Sequence, residues 1–247
     1  LRTTLPAAAY HRTRRLIPRS SIMDVFEAVD SRIACRHFLD KPVDLKIVKE
    51  MIVKAQRAAS GGNLQSWNVY ALTGKPLAEF KAIVQKRIAH EDPRHTKSEY
   101  PIYPEPMFGA YKERREEHGV QLYGSLGIGR DDAAGRLGQY KKNFEFFGAP
   151  VALFITIDRK LGPGQWADLG GYVNSLAVLA RAYGLDTCPQ ECWARLYDTV
   201  GDFLKLPANE MLFCGFAIGY GDRKHKANDF RSPRAELHEF CKFYGFD

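Results

Sequence analysis

Apolar positions along this chain switch between a spacing of three to four and an alternation of two, and each switch marks an element. Ile22, Val25, Phe26 and Val29 form one stripe at helical spacing. Ser21 followed by Asp24 three positions later has the pattern of a capping box, so a short amphipathic helix is expected here. Asp44 is the expected N-cap of a second helix. Val43 and Val48 are placed as a hydrophobic staple, and Val48, Met51, Ile52 and Ala55 face inward, with the helix running to about Ala58. Small residues fill 59–66, and then Trp67, Val69 and Ala71 alternate with Asn68, Tyr70 and Leu72 as a strand does, until Gly74. Pro76 opens a further helix in which Leu77, Phe80, Val84 and Ile88 keep helical spacing.

The regularity breaks down over 91–129, where prolines, charges and aromatic residues such as Tyr100, Tyr103, Phe108, Tyr111 and Tyr123 mix. This stretch reads as a partly helical insertion, either a binding lid or a packed excursion. Residues 131–147 are again helical in composition. Val151–Asp158 reads as a buried strand, 166–183 as a strongly apolar helix closed by Gly184, and 211–219 as the last strand. Between the last two lies a short extended turn and another helix. Few strands among many helices favour an α+β fold, a central sheet covered by helices, over a doubly wound one.

Composition sharpens this picture. The chain has 247 residues, 45% of them apolar, enough to bury a large core, and no apolar run approaches the roughly 18 residues of a membrane helix. The formal charge of +7 is uneven: residues 1–22 hold Arg2, Arg12, Arg14, Arg15 and Arg19 without an acid, and the remainder holds 31 basic residues against 29 acidic, a net of +2. Residues 1–21 are therefore expected to be a basic arm, either disordered or vector-derived, or sequence ahead of a natural start at Met23. Residues 22–247 are expected to form one domain with the insertion at about 91–129. A basic nucleic-acid-binding protein would rest on that arm alone. Five scattered cysteines, an odd number, point to reduced thiols and the cytoplasm, and Cys188 and Cys192 lack partners for a zinc site.

Four segments carry candidate chemistry. S-R-I-A-C-R-H-F at 31–38 places Arg32 and Arg36 beyond the first helix, either a phosphate cradle of planar donors or solvated charge. S-G-G-N-L-Q-S-W at 60–67 offers two glycines for close backbone approach and Asn63 and Gln65 as amide donors and acceptors, or else an ordinary helix cap. In G-L-D-T-C-P-Q-E-C-W at 184–193, Pro189 fixes a turn and leaves the N–H groups of Gln190, Glu191 and Cys192 free to face a ring nitrogen. The tail N-D-F-R-S-P-R brings Arg231 and Arg234.

In this order the segments closely resemble the nitroreductase family of FMN flavoproteins, over about 22–235, and most nearly its nitrobenzoate and nitrobenzene reductase type. The resemblance implies an intertwined homodimer with two tightly but non-covalently held FMN molecules at the subunit interface. Arg32, Ala34 and Arg36, with Arg231 and Arg234, would hold the phosphate end. Ser60, Gly61, Gly62, Asn63 and Gln65 would come from the other subunit. Pro189, Gln190 and Glu191 would line the ring, with the backbone N–H of Glu191 or Cys192 facing its N5, and Asp168 would stand near the flavin or substrate pocket. The implied reaction takes two electrons from NADPH or NADH to nitroaromatic compounds or quinones by a ping-pong route, with no dedicated side-chain acid. No glycine-rich dinucleotide fingerprint is present, in keeping with a transient nicotinamide. A reductive dehalogenase, an ene reductase or a flavin-degrading enzyme would use the same scaffold. Ser66, where the family commonly has proline, and Cys192, where a small residue is common, depart from its pattern.

Overall fold

The computed structural model describes residues 23–245, so the basic arm and the first two positions of the expected capping box lie outside the described residues. Asp24 is itself the cap of α1 (Val25–Ser31): its carboxylate accepts from the N–H groups of Phe26, at 2.7 Å, and Glu27, at 3.3 Å. Asp44 caps α2 (Leu45–Ala55), accepting from Lys46 N at 2.8 Å, and Val48, Met51 and Ala55 are buried as the spacing predicts.

Four strands, β1 (Asn68–Thr73), β2 (Val151–Asp158), β3 (Asp186–Gln190) and β4 (Glu210–Gly219), make one antiparallel sheet in the order β1-β2-β4-β3. The expected extended turn around Pro189 is therefore a true edge strand, paired to β4 from Asp186↔Gly219 to Gln190↔Gly215. A proline is tolerated there because an edge strand leaves one side of its backbone outside the ladder.

Both faces of the sheet are covered, which is why β2 reads as an unbroken apolar run rather than an alternation. Val151, Leu153, Ile155 and Ile157 join the core formed with α2 and with α6 (Pro163–Ala182), where Trp67 stacks on Tyr172. Ala152 and Phe154 join the opposite core, formed with α3 (Gly74–His90) and the short 3-10 stretches Lys142–Gly148 and Glu191–Leu196. At its centre Trp193 is fully buried against Phe80, Phe144, Phe146 and Phe154.

The remaining helices are α4 (Gly109–Ser125), inside the irregular stretch, α5 (Ala133–Lys141), α7 (Tyr197–Leu204) and α8 (Leu237–Phe240). The start of the irregular stretch is fixed: Tyr100 Oη donates to Phe213 O at 2.5 Å and Glu99 N donates to Ala194 O at 2.8 Å. Its helix α4 has no buried residue. No helix among the described residues is long and apolar enough to cross a membrane.

Candidate functional site

The segment after α1 runs beside β3 and then crosses to the chain that follows β4. Ala34 bridges Thr187, with Cys35 N donating to Thr187 O at 2.9 Å, and Phe38 bridges Gly221. Cys35 is fully buried in this path, while Arg32, Ala34 and Arg36 line a cavity of about 680 Å³. Arg231 and Arg234 line the same cavity from the tail. Two sites of positive charge separated by almost the whole chain thus meet in one place.

Two polar networks hold the meeting point. Asp186, at the start of β3, is 3% exposed and accepts from Arg181 Nη1 at 2.9 Å, from Arg223 Nε at 3.2 Å and from Gly221 N at 3.2 Å. The same two arginines reach Ser31: Arg181 Nε donates to its hydroxyl at 3.0 Å and Arg223 Nη2 to its carbonyl at 3.2 Å, which fixes the residue before Arg32. Gly221 is required by contact, since a Cβ there would lie 2.5 Å from Asp186 Oδ2 and 2.8 Å from Cys35 Sγ. The second network centres on the buried Asn228. Its Oδ1 accepts from Arg36 N at 2.7 Å, and its Nδ2 donates to His37 O and Asp222 O, each at 2.8 Å.

Among the described residues, none of the guanidinium groups of Arg32, Arg36, Arg231 and Arg234 is ion-paired with a carboxylate. Burial, and then the charges of Arg234 and Arg231, push Arg32 below the ordinary guanidinium range. Planar guanidinium donors without a carboxylate partner, converging on one cavity, fit a compact, multiply charged oxyanion such as a phosphate.

The other expected site residues form two further groups. The turn Gly61–Asn63 is tied to α6 by Gly61 N donating to Asp168 Oδ2 at 3.1 Å, and Ser60 Oγ accepts from Gln65 N at 3.1 Å. Gly62, Asn63 and Gln65 all have left-handed backbone, with φ of 57°, 58° and 51°, which a glutamine adopts only when its surroundings impose it. This loop lines no part of the arginine cavity in its own chain. Asp168 and the cavity-lining Asn174 lie six residues apart on α6, about 9 Å along its axis, so one helix reaches both groups.

At the end of β3, Pro189 and Glu191 are exposed and Gln190 is buried, its Nε2 donating to Asn143 O at 2.7 Å. Burial pushes the Cys35 and Cys188 thiols up to about 12 and about 11, which removes them as nucleophiles at neutral pH.

Asn228, His118 and Ser232 border the arginine cavity and were missed by sequence reasoning. Asn228 and Ser232 stand within the quoted tail motif, Asn228 opening it and Ser232 lying between its two arginines, and polar side chains in those places were a usable signal. His118 had none, being a lone histidine in an irregular stretch.

The nitroreductase family model matches residues 29–220. The chain belongs to the nitroreductase family. It is 39% identical over 229 residues to a 4-nitrobenzoate reductase of Pseudomonas putida, covering 92% of this chain and 98% of that protein. It is 32% identical to a chloronitrobenzene nitroreductase of Comamonas testosteroni, covering 92% and 99%. Among solved structures, the FMN- and NADPH-dependent nitroreductase NfnB of Sphigopyxis sp. strain HMH superposes with a TM-score of 0.87 at 41% identity, over 91% of this chain and all of that one. The α+β arrangement is thus that of the nitroreductase family, as its motifs implied.

Proposed function

We propose that this nitroreductase-family chain is an FMN-dependent oxidoreductase that takes two electrons from NAD(P)H and passes them to nitroaromatic compounds or quinones. The observation that carries the reading is the convergence on one cavity of four guanidinium groups that, among the described residues, have no carboxylate partner, a donor set that fits the phosphate of FMN. FMN, when bound, would supply the redox chemistry that links reduced nicotinamide to the second substrate.

The chain's own residues bind and orient. Arg32 and Arg36, fixed through Ser31 and Asn228, grip the phosphate, Arg231 and Arg234 close over it, and Ala34 leaves room beside it. Pro189 and Gln190 hold the backbone at the ring, with the N–H of Glu191 or Cys192 presented to its reacting nitrogen. The loop Ser60, Gly61, Gly62, Asn63 and Gln65, steadied by Asp168, completes the site of a partner subunit. That assignment is supported by the loop lining no part of its own chain's arginine cavity and by its forced left-handed backbone. The homodimer is supported in turn by the apolar face of α1, where Val25, Phe26 and Val29 are 63%, 80% and 54% exposed. Five free cysteines accord with a cytoplasmic setting. Residues 22–247 act as one flavin-binding unit in this reading.

The test is a visible spectrum of the purified protein followed by turnover. A yellow protein with about one FMN per chain should oxidise NADPH or NADH only when a nitroaromatic such as 4-nitrobenzoate, or a quinone, is present. A colourless protein that takes up no added FMN removes the reading.

A further inference from the structure

Helix α4 has no buried residue, yet from it His118 reaches the arginine cavity. Its Nε2 lies 3.3 Å from Arg36 Nη2 and its Nδ1 lies 2.9 Å from Ser232 Oγ. A guanidinium only donates, so Nε2 accepts from Arg36; the ring is then neutral, with its proton on Nδ1 facing the serine hydroxyl. The ring also lies 5.6 Å from that of Phe230, over which the Arg36 guanidinium sits at 5.9 Å. His118 is thus built into the arginine cluster, joining α4 to the tail across the mouth of the cavity.

The charges around it are mostly positive. Arg36 touches it directly, and Arg32, Arg231 and Arg234 share its cavity, with Asp30 of α1 the one carboxylate among the described residues on that lining. On α4 and the tail, Glu113, Glu117 and Glu239 line the adjoining cavity, but Glu239 is ion-paired with Arg114 at 3.0 Å. On the opposite side Glu113, Glu116 and Glu117 share a cavity with Arg115, Arg130, Arg136 and the phenols of Tyr103 and Tyr123, and Glu116 is ion-paired with Lys112 at 4.0 Å. Burial first, and then Arg36 and Arg234, hold the imidazolium below its ordinary range.

We propose that His118 is a fifth, proton-linked member of the phosphate site: neutral beside the guanidinium groups alone, it takes up one proton as a phosphate dianion arrives. This rests on the FMN reading above. The proton comes from bulk water to Nε2; Arg36 Nη2–H, released from that nitrogen, turns to the phosphate, and Nε2–H becomes a donor to a phosphate oxygen. The dianion offsets two of the surrounding positive charges, so the imidazolium is more stable in the loaded site than in the free one.

The sign follows from linkage. The free-state pKa lies below the ordinary histidine value and the loaded-state pKa lies above the free one; between the two, binding consumes a proton and tightens as pH falls. Second ionisation of the phosphate, near pH 6, acts in the opposite direction at lower pH in every variant, so the comparison belongs above pH 6.5.

The experiment titrates wild-type, His118→Gln and His118→Leu apoprotein with FMN and with riboflavin between pH 6.5 and 8.5. Calorimetry at pH 7 in two buffers of different ionisation enthalpy measures proton uptake. Wild-type FMN affinity should rise on the order of fivefold from pH 8 to 6.5 with net proton uptake, while riboflavin affinity stays flat. His118→Gln, which keeps an acceptor for Arg36, should fold and bind FMN with neither the slope nor the uptake; His118→Leu should bind more weakly still. An FMN slope and proton uptake unchanged in His118→Gln overturn the assignment while leaving the FMN site intact. Failure of the wild type to bind either flavin overturns both.

Discussion

Arg32 is the residue on which the cost of gathering charge falls most plainly, since hydration is lost there and Arg234 and Arg231 repel it. Removing it should therefore affect cofactor and fold differently. A charge-assisted hydrogen bond contributes about 1.5 to 3 kcal/mol, so Arg32→Ala should weaken FMN binding roughly 10-fold to 150-fold. Riboflavin, lacking the phosphate, should lose much less, and Arg32→Lys should recover charge but not paired geometry. The apoprotein of Arg32→Ala should melt no lower than wild type, because a repulsive, partly desolvated charge is gone. Flavin titrations and thermal melts check these together; equal losses for both flavins would assign Arg32 to the ring or the fold instead.

Elements are joined at this site by Asp186 rather than by apolar contact. It lies at the start of β3, and its two arginines come from the last turn of α6 and from the chain after β4; both arginines also reach Ser31 at the end of α1. Asp186→Asn would leave Arg181, with a side chain only 13% exposed, without its counter-charge. Breaking a buried pair in this way costs about 3 kcal/mol, which for a chain of this size lowers Tm by roughly 10 °C. FMN and riboflavin should both bind less well, since the whole segment bearing Arg32 and Arg36 loosens. A calorimetric melt of Asp186→Asn within two or three degrees of wild type would mean that the network is ornamental.

Over the whole molecule, α1 stands out for its exposed apolar face. Its apolar stripe is the one the helical spacing predicts, but Phe26 remains 80% exposed, and Leu237, Phe240, Phe243 and Tyr244 of the tail are exposed as well. In the proposed homodimer a second copy of the chain would cover these faces. Phe26→Glu should shift the protein from dimer toward monomer in light scattering and should reduce FMN content with it, because the loop bearing Asn63 and Gln65 would no longer be supplied across the interface. A Phe26→Glu variant that remains a fully loaded dimer would place the interface elsewhere.

What was legible in the sequence was whatever local periodicity and capping chemistry determine: α2 from Asp44 and its buried face, the inward positions of α3, the doubly covered β2, and β4. The edge strand β3 was not, because D-T-C-P-Q carries a proline and an acid that argue locally for a turn; it becomes a strand only because β4 lies alongside and its other edge is left open to Ala34. The motifs named the arginines and the family resemblance implied that they meet, but the means lay outside the sequence, since Arg32 and Arg234 are brought to one cavity by the path of the chain around β4 and the ties made by Asn228 and Asp186. Periodicity likewise showed that α1 has an apolar face without saying what covers it. His118 lay beyond sequence reasoning altogether: its character comes from neighbours on three distant segments, and charge and desolvation act through space.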